Sequence, residues 1–260
     1  MKGLARGAIV AAVGVLALVP LLVLVLESVA DQWFYPAILP VGYTLGGWRL
    51  AFSGALAPAT VTSLAVAVAT AVLGTALALP IGRALARLAG WRRHAAAAAV
   101  FLPVAAPPLA LGTGLQVGLL AIGAGGTTAG VLAAHLVPAV GYLSLYFLGV
   151  FTLRDPRPEL EARTLGATPW QTWTLVTLPT LRRPIADALG LGFLISWTQF
   201  ALTLVVGGGT VRALPLEVYA FVRAGQDRPA AVGALLLVIP ALAMLASLRW
   251  VAGHELATPS

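Results

Sequence analysis

Apolar runs of about twenty residues recur along this chain, and they decide what it can fold into. The first, Ala8–Leu26, carries no charged residue. Five more follow at about 60–80, 95–120, 130–150, 184–206 and 230–251. A helix of about 20 residues crosses the ~30 Å hydrocarbon core of a bilayer. Only 10% of the 260 residues are charged and 60% are hydrophobic, whereas soluble domains carry about a quarter charged residues. So few charges cannot solvate a soluble surface. The expectation is an all-α integral membrane protein with six transmembrane helices.

Charge placement then orients the spans. The net charge of +7 raises nucleic acid as a partner, but the basic residues follow topology instead. With Lys2 on the cytoplasmic side, six spans put Lys2, Arg6, Arg83, Arg87, Arg92, Arg93, Arg154, Arg157, Arg163, Arg182, Arg183 and Arg249 there. Only Arg49, Arg212, Arg223 and Arg228 remain outside. This bias matches the positive-inside rule. It accounts for the charge without nucleic acid and leaves lipid as the surrounding partner. Both termini are expected to be cytoplasmic, in a multi-pass protein of a bacterial or archaeal cytoplasmic membrane.

The chain has no cysteine, which excludes disulfides and thiolate chemistry. Its three histidines are far apart, without metal-ligand spacing. Its one lysine, Lys2, follows no glycine-rich run, so it has no P-loop of its own. No paired carboxylates and no nucleophile with a base support an enzyme.

Residues 1–58 read as a first span with an outer segment. Ser28-Val29-Ala30 imitates a signal-peptidase site, but the apolar run exceeds the 7–15 residues of a signal core, so an uncleaved span is expected. Trp33, Phe34, Tyr35, Tyr43 and Trp48 suit an interfacial anchor or a docking surface for an external partner. Residues 59–251 read as the core of five spans, and 252–260 as a short tail.

Within the core, Ser63, Ala67, Ala71 and Thr75 recur every fourth position, as do Thr70, Gly74 and Ala78. Such stripes let helix backbones approach closely in lipid. The third span is interrupted by Pro103, Pro107 and Pro108 and loosened by Gly112 and Gly114. It reads as a pathway helix or as a kinked packing helix. Pro108, Gly112, Gln116, His135, Ser196 and Gln199 are candidate pathway positions, because polar or irregular positions inside spans are expensive and often functional. For His135 the competing reading is a hydrogen bond between helices.

Between spans four and five lies a polar insert, residues 155–180. Asp155 to Leu165 reads as a short helix entered through Pro156 and Pro158, with Gly166 as its left-handed end. Thr168 reads as an N-cap, Pro169 as the first helical residue and Gln171 as the partner in a capping box. Pro179 is expected to stop or bend this second helix. Trp170 would lie near the tip, as an anchor in a partner's groove or packed back on the bundle.

The insert resembles the cytoplasmic signature loop of the permease subunits of binding-protein-dependent ABC importers. The spacing from Gly166 through Val176 to Leu178-Pro179 matches that pattern. At the E-A-A end, Leu160 falls on the glutamate position, and Glu161 and Ala162 on the alanines. FLPVAAPPLALGTGL, LAAHLVPAVGYL and RALPLEVYAFVRAG resemble further family segments. FLISWTQFALTLVVGG resembles one that usually carries an acid where Gln199 stands. The resemblance implies one membrane half of a type I importer, paired with a second permease copy or a paralogue. ABC ATP-binding subunits would hold ATP and Mg below, and an extracytoplasmic solute-binding protein would deliver substrate above. The chain itself would carry no cofactor and perform no hydrolysis. The helix from Pro169 would be the coupling helix, with Glu161, Ala162, Gly166, Thr168, Pro169, Trp170, Gln171, Leu178 and Pro179 at the ATPase contact. SWTQFALTLVVGGG resembles the group associated with thiamine, ferric iron and polyamines. A stand-alone secondary transporter or channel remains the alternative.

Overall fold

Lipid offers the backbone no hydrogen-bond partner, so a spanning chain satisfies its N–H and C=O groups within helices. The computed structural model describes residues 2–34 and 36–255, and among them every regular element is helical. The one β-type pairing is an isolated bridge between Ala30 and Tyr43. Tyr35, one of the outer aromatics, and residues 256–260 of the expected tail lie outside the described residues.

The helices are α1 (Lys2–Val29), α2 (Gly46–Ser53), α3 (Leu56–Arg87), α4 (Gly90–Ala105), α5 (Pro108–Ala121) and α6 (Thr128–Leu153). The insert holds α7 (Arg157–Thr164), α8 (Pro169–Gln171), a π-helical stretch (Thr172–Thr177) and α9 (Leu178–Thr180). Last come α10 (Arg182–Trp197), α11 (Ala201–Gly207), α12 (Leu214–Arg223) and α13 (Asp227–Glu255). The tail expected from residue 252 therefore begins inside α13.

Four of these helices, α1, α3, α6 and α13, are long and apolar enough to cross a bilayer. Two bent pairs complete six spans when each pair counts as one. α4 and α5 meet at 95°, and α10 and α11 at 60°. The first break follows from local chemistry. Ala106 is extended before Pro107, as a residue preceding proline prefers, and neither Pro107 nor Pro108 has an N–H to continue α4. The second break, at Thr198–Phe200, contains neither proline nor glycine, and the sequence reads through it as one span. Side-chain hydrogen bonds hold that break, as described below.

The chain divides into two compact units. One comprises residues 1–62 with 212–246, the other residues 63–211 with the C-terminal part of α13. In the first, Trp48 Nε1 donates to Ser28 Oγ at 3.3 Å, and Arg228 donates to both the carbonyl and the carboxylate of Asp31. Phe34, Ile38, Val41 and Tyr43 are exposed there, which suits an amphipathic segment at a headgroup layer.

In the second unit, α3 inverts the pattern of a soluble bundle. On α3 the small residues Ala67, Thr70, Ala71, Thr75 and Ala78 are buried, while Leu64, Val68, Val72, Leu73 and Leu77 are exposed. Close backbone approach explains why. A Cβ on Gly82 of α3 would stand 2.4 Å from Phe147 Cβ and 2.9 Å from the α6 backbone. A Cβ on Gly192 of α10 would stand 3.0 Å from Ala71 Cα. Two apolar clusters fill the remaining space. One gathers Val66, Val131, Ala134, Leu202 and Val206, the other Ala78, Leu143, Phe147 and Ala188.

Gly82→Leu is therefore expected to overpack the α3–α6 contact and cost about 1–3 kcal/mol. Gly149→Leu, whose added Cβ meets open space, is expected to leave stability unchanged or higher. Melting temperatures of the two variants in detergent check this, and equal losses would refute the close-approach reading.

Candidate functional site

The insert is built from local signals in the order the sequence sets them. Asp155 Oδ1 accepts from the Arg157 N–H at 2.9 Å, which opens α7. At its other end Gly166 has φ +89°. Its N–H donates to the Arg163 carbonyl, and the Ala167 N–H to the Ala162 carbonyl. That pair of bonds is a Schellman ending, and the positive φ is what glycine permits there. Two residues on, Thr168 Oγ1 accepts from the Gln171 N–H at 3.2 Å, and Gln171 Oε1 accepts from the Thr168 N–H at 2.8 Å. The expected capping box is thus complete, with Pro169 at the first helical position. Trp170 follows at once and is 73% exposed, with Leu165 and Leu175 also exposed.

Past Gln171 the helix widens. The Leu178 N–H reaches back five residues to the Trp173 carbonyl. The helical path continues through Leu178 and Pro179 to Thr180 rather than stopping. Pro179 has no N–H for the carbonyl four residues earlier, and the π-helical stretch stands just ahead of it. Such insertions are frequent at functional sites.

One carboxylate roots this loop in the bundle. Glu159 accepts from Arg154 Nη1 at 2.6 Å, from Thr177 Oγ1 at 2.7 Å and from Arg83 Nη2 at 3.3 Å. These donors come from the residue capping α6, the π-helical stretch and the last turns of α3. The Arg83 guanidinium also lies 4.5 Å from the ring centre of Trp173, a cation–π contact. Burial pushes the Glu159 pKa up. The Thr177 hydroxyl, Arg154 and Arg83 together outweigh that and hold it below its ordinary value of 4.5.

Sequence reasoning misses Glu159. The acid it selects, Glu161, is exposed and makes no side-chain hydrogen bond or ion pair among the described residues, and Ala162 is half-buried beside it. Arg154 lies five residues before Glu159, a hint available in the sequence. Arg83 is 76 residues away, and nothing local announces it.

A second polar node lies among the spans. His135 of α6 is buried. Its Nδ1 pairs with Ser196 Oγ at 2.8 Å and its Nε2 with Thr203 Oγ1 at 2.9 Å. Ser196 lies near the end of α10 and Thr203 near the start of α11, so His135 staples both sides of the second break. Thr203 Oγ1 also donates to the Gln199 carbonyl inside that break, and Thr198 Oγ1 to the Leu194 carbonyl. The reading of His135 as a link between helices describes this geometry. Ser196 and Gln199 join it, and Thr203 is the member the sequence does not flag. Gly112 serves close packing: a Cβ there would meet Val205 at 3.2 Å and Leu202 at 3.3 Å on α11. Gln116, one turn later, has its Oε1 buried without a hydrogen-bond partner among the described residues. Pro108 is exposed at the start of α5.

The described residues thus combine helices long and apolar enough to cross a membrane with a polar loop tied to the ends of α3 and α6. Residues 78–254 match the family model of the binding-protein-dependent transport system inner membrane component, and the chain belongs to that family. A Mycobacterium tuberculosis molybdenum transport system permease protein is 30% identical over 213 residues, covering 76% of this chain and 81% of the relative. A Salmonella typhimurium permease named for 2-aminoethylphosphonate transport is 31% identical over 260 residues, covering 95% and 94%. The fold matches a bacterial alginate ABC transporter solved with an alginate pentasaccharide-bound periplasmic protein. That match has a TM-score of 0.72 at 15% identity and covers 100% of this chain and 99% of that one. The chain is thus a multi-pass inner-membrane permease subunit of a type I binding-protein-dependent ABC importer.

Two expectations follow from the two nodes. A carboxylate whose folded pKa is depressed contributes stability above its unfolded pKa and loses it as pH falls through the folded value. Limited proteolysis of the insert should therefore accelerate in wild type as pH falls below 4.5, the upper edge of that window. Glu159→Gln should be cleaved readily at neutral pH too, and protection of that variant at neutral pH would refute the clamp. His135→Leu leaves the Ser196 and Thr203 hydroxyls without their imidazole partner. It is expected to cost roughly 1–2 kcal/mol, read as a lower melting temperature in detergent.

Proposed function

We propose that this permease subunit forms half of a translocation pathway and couples it to ATP hydrolysis on separate ABC ATP-binding subunits. The observation that carries this reading is the helix at Pro169. It is capped at its start, follows a Schellman corner and presents an exposed Trp170. An exposed aromatic flanked by Leu165 and Leu175 on a rigid base suits a partner's groove. ATP and Mg would sit on that partner. Glu161, Ala162, Gly166, Thr168, Gln171, Leu178 and Pro179 either face the groove or hold the shape that enters it.

Force would then travel from Trp170 into the spans by packed elements. Glu159 joins the π-helical stretch to α3 and to the end of α6, so movement of the coupling helix is delivered to both. A rigid element whose position both ATPase and pathway bias is what coupling requires. The break at Thr198–Phe200, stapled by His135, is where a span would change shape. Pro108, Gly112, Gln116, Ser196 and Gln199 would line or shape that route. A second permease copy or a paralogue would complete the pathway, and an extracytoplasmic solute-binding protein would deliver the solute. Both termini would be cytoplasmic, as the arginine distribution supports.

For the substrate, the relatives' names favour a small solute such as 2-aminoethylphosphonate, whose named permease matches along 95% of this chain, or molybdenum. The thiamine, ferric iron or polyamine reading rests on SWTQFALTLVVGGG alone.

Purification in gentle detergent from native cells, with mass spectrometry of what accompanies the chain, tests the assembly. An ATP-binding subunit and a solute-binding protein are expected, and a chain that stays alone after cross-linking would point to a stand-alone transporter. Ligand-induced melting shifts of that binding protein then rank the candidate solutes. Gly166→Pro forces a negative φ where +89° is needed, and Trp170→Asp removes the apolar anchor. Each is expected to abolish uptake while the protein still inserts in the membrane. Normal uptake in both would overturn the coupling role.

A further inference from the structure

Glu159 does not absorb all the positive charge gathered around it. Arg87, Arg154 and Arg163 all act repulsively on Arg83. Of the four, only Arg83 and Arg154 reach Glu159. Arg87 and Arg163 are exposed and hold no ion pair among the described residues. Nη2 of Arg154 is buried with no acceptor among the described residues. Two cavities flank the carboxylate. One of about 180 Å³ lies between the ends of α3 and α6, with Phe151 and Arg154 on its wall. The other, of about 150 Å³, reaches Arg163 and Thr172. Arg83, Arg87 and Glu159 line both.

We propose that these cavities form an anion site for a phosphate group, supplied by the headgroup of an anionic phospholipid in the adjoining leaflet. Guanidinium forks match phosphate oxygens in geometry, and four of them line these cavities beside two carboxylates, Glu159 and Asp155. The larger cavity opens between the ends of two helices that are apolar enough to span a bilayer. Phe151 gives it an apolar wall for a glycerol or acyl segment. A basic pocket between spanning helices beside the membrane surface suits an acidic lipid headgroup. The bound phosphate would balance Arg87 and Arg163 and brace the ends of α3 and α6 beside the insert. This inference needs the membrane placement of α3 and α6 but not the coupling role of Trp170.

The test uses the transporter purified in mild detergent with its native subunits. Native mass spectrometry follows retention of phosphatidylglycerol, cardiolipin and phosphatidylcholine, and calorimetry follows inorganic phosphate. Wild type is expected to retain the two anionic lipids over phosphatidylcholine. Arg87→Gln and Arg163→Gln are each expected to weaken that retention about fivefold. Both side chains are exposed and unpaired, and melting temperatures check that the variants stay folded. Phosphate binding with the same arginine dependence, and without lipid preference, would keep the anion site and move its source to solution. Equal retention of phosphatidylglycerol and phosphatidylcholine with no arginine-dependent phosphate binding would overturn the proposal.

Discussion

Close approach of helix backbones is the constraint on which this structure depends. Lipid tails are as apolar as leucine, so helices gain nothing by hiding leucine from them. What remains is van der Waals contact, and that grows as backbones come nearer. Along α3, alanine, glycine and threonine therefore turn inward while Leu64, Val68, Val72, Leu73 and Leu77 stay exposed. Gly82 against Phe147, Gly141 against Val100 and Val104, and Gly192 against Ala71 are examples.

Polar chemistry is then concentrated at two places. His135 sits among the spans and pairs with two hydroxyls on either side of a broken helix. The arrangement spends no fixed charge in the membrane, where charge is costly. Glu159 and its arginines stand where the spans end, and there full charges are tolerable. A node of hydroxyls around an imidazole thus joins α6 to the broken helix, and a charged node fastens the insert to the ends of α3 and α6. The same charged node leaves Arg87 and Arg163 without an ion pair among the described residues.

The insert's shape was written locally. Gly166, Thr168, Pro169 and Gln171 are neighbours in the chain, and each acts on its own or adjacent backbone. The apolar runs, the small-residue stripe of α3 and the break at Pro107-Pro108 were equally legible, because each depends on residues within one or two turns. The break at Thr198–Phe200 was not. It has no proline or glycine, and the sequence there reads as a continuous span. The bond that holds it comes from His135, 61 residues before Ser196.

The sequence by itself therefore determined the class of molecule, its helices and the corner at Gly166. Composition sets the solvent a chain can bear, and caps and prolines act at short range. Only the tertiary structure decided that Glu159 rather than Glu161 anchors the loop, that His135 joins α10 to α11, and that Gly82 must have no side chain. Each of those depends on a partner brought from tens of residues away, and no local pattern encodes where such a partner will stand.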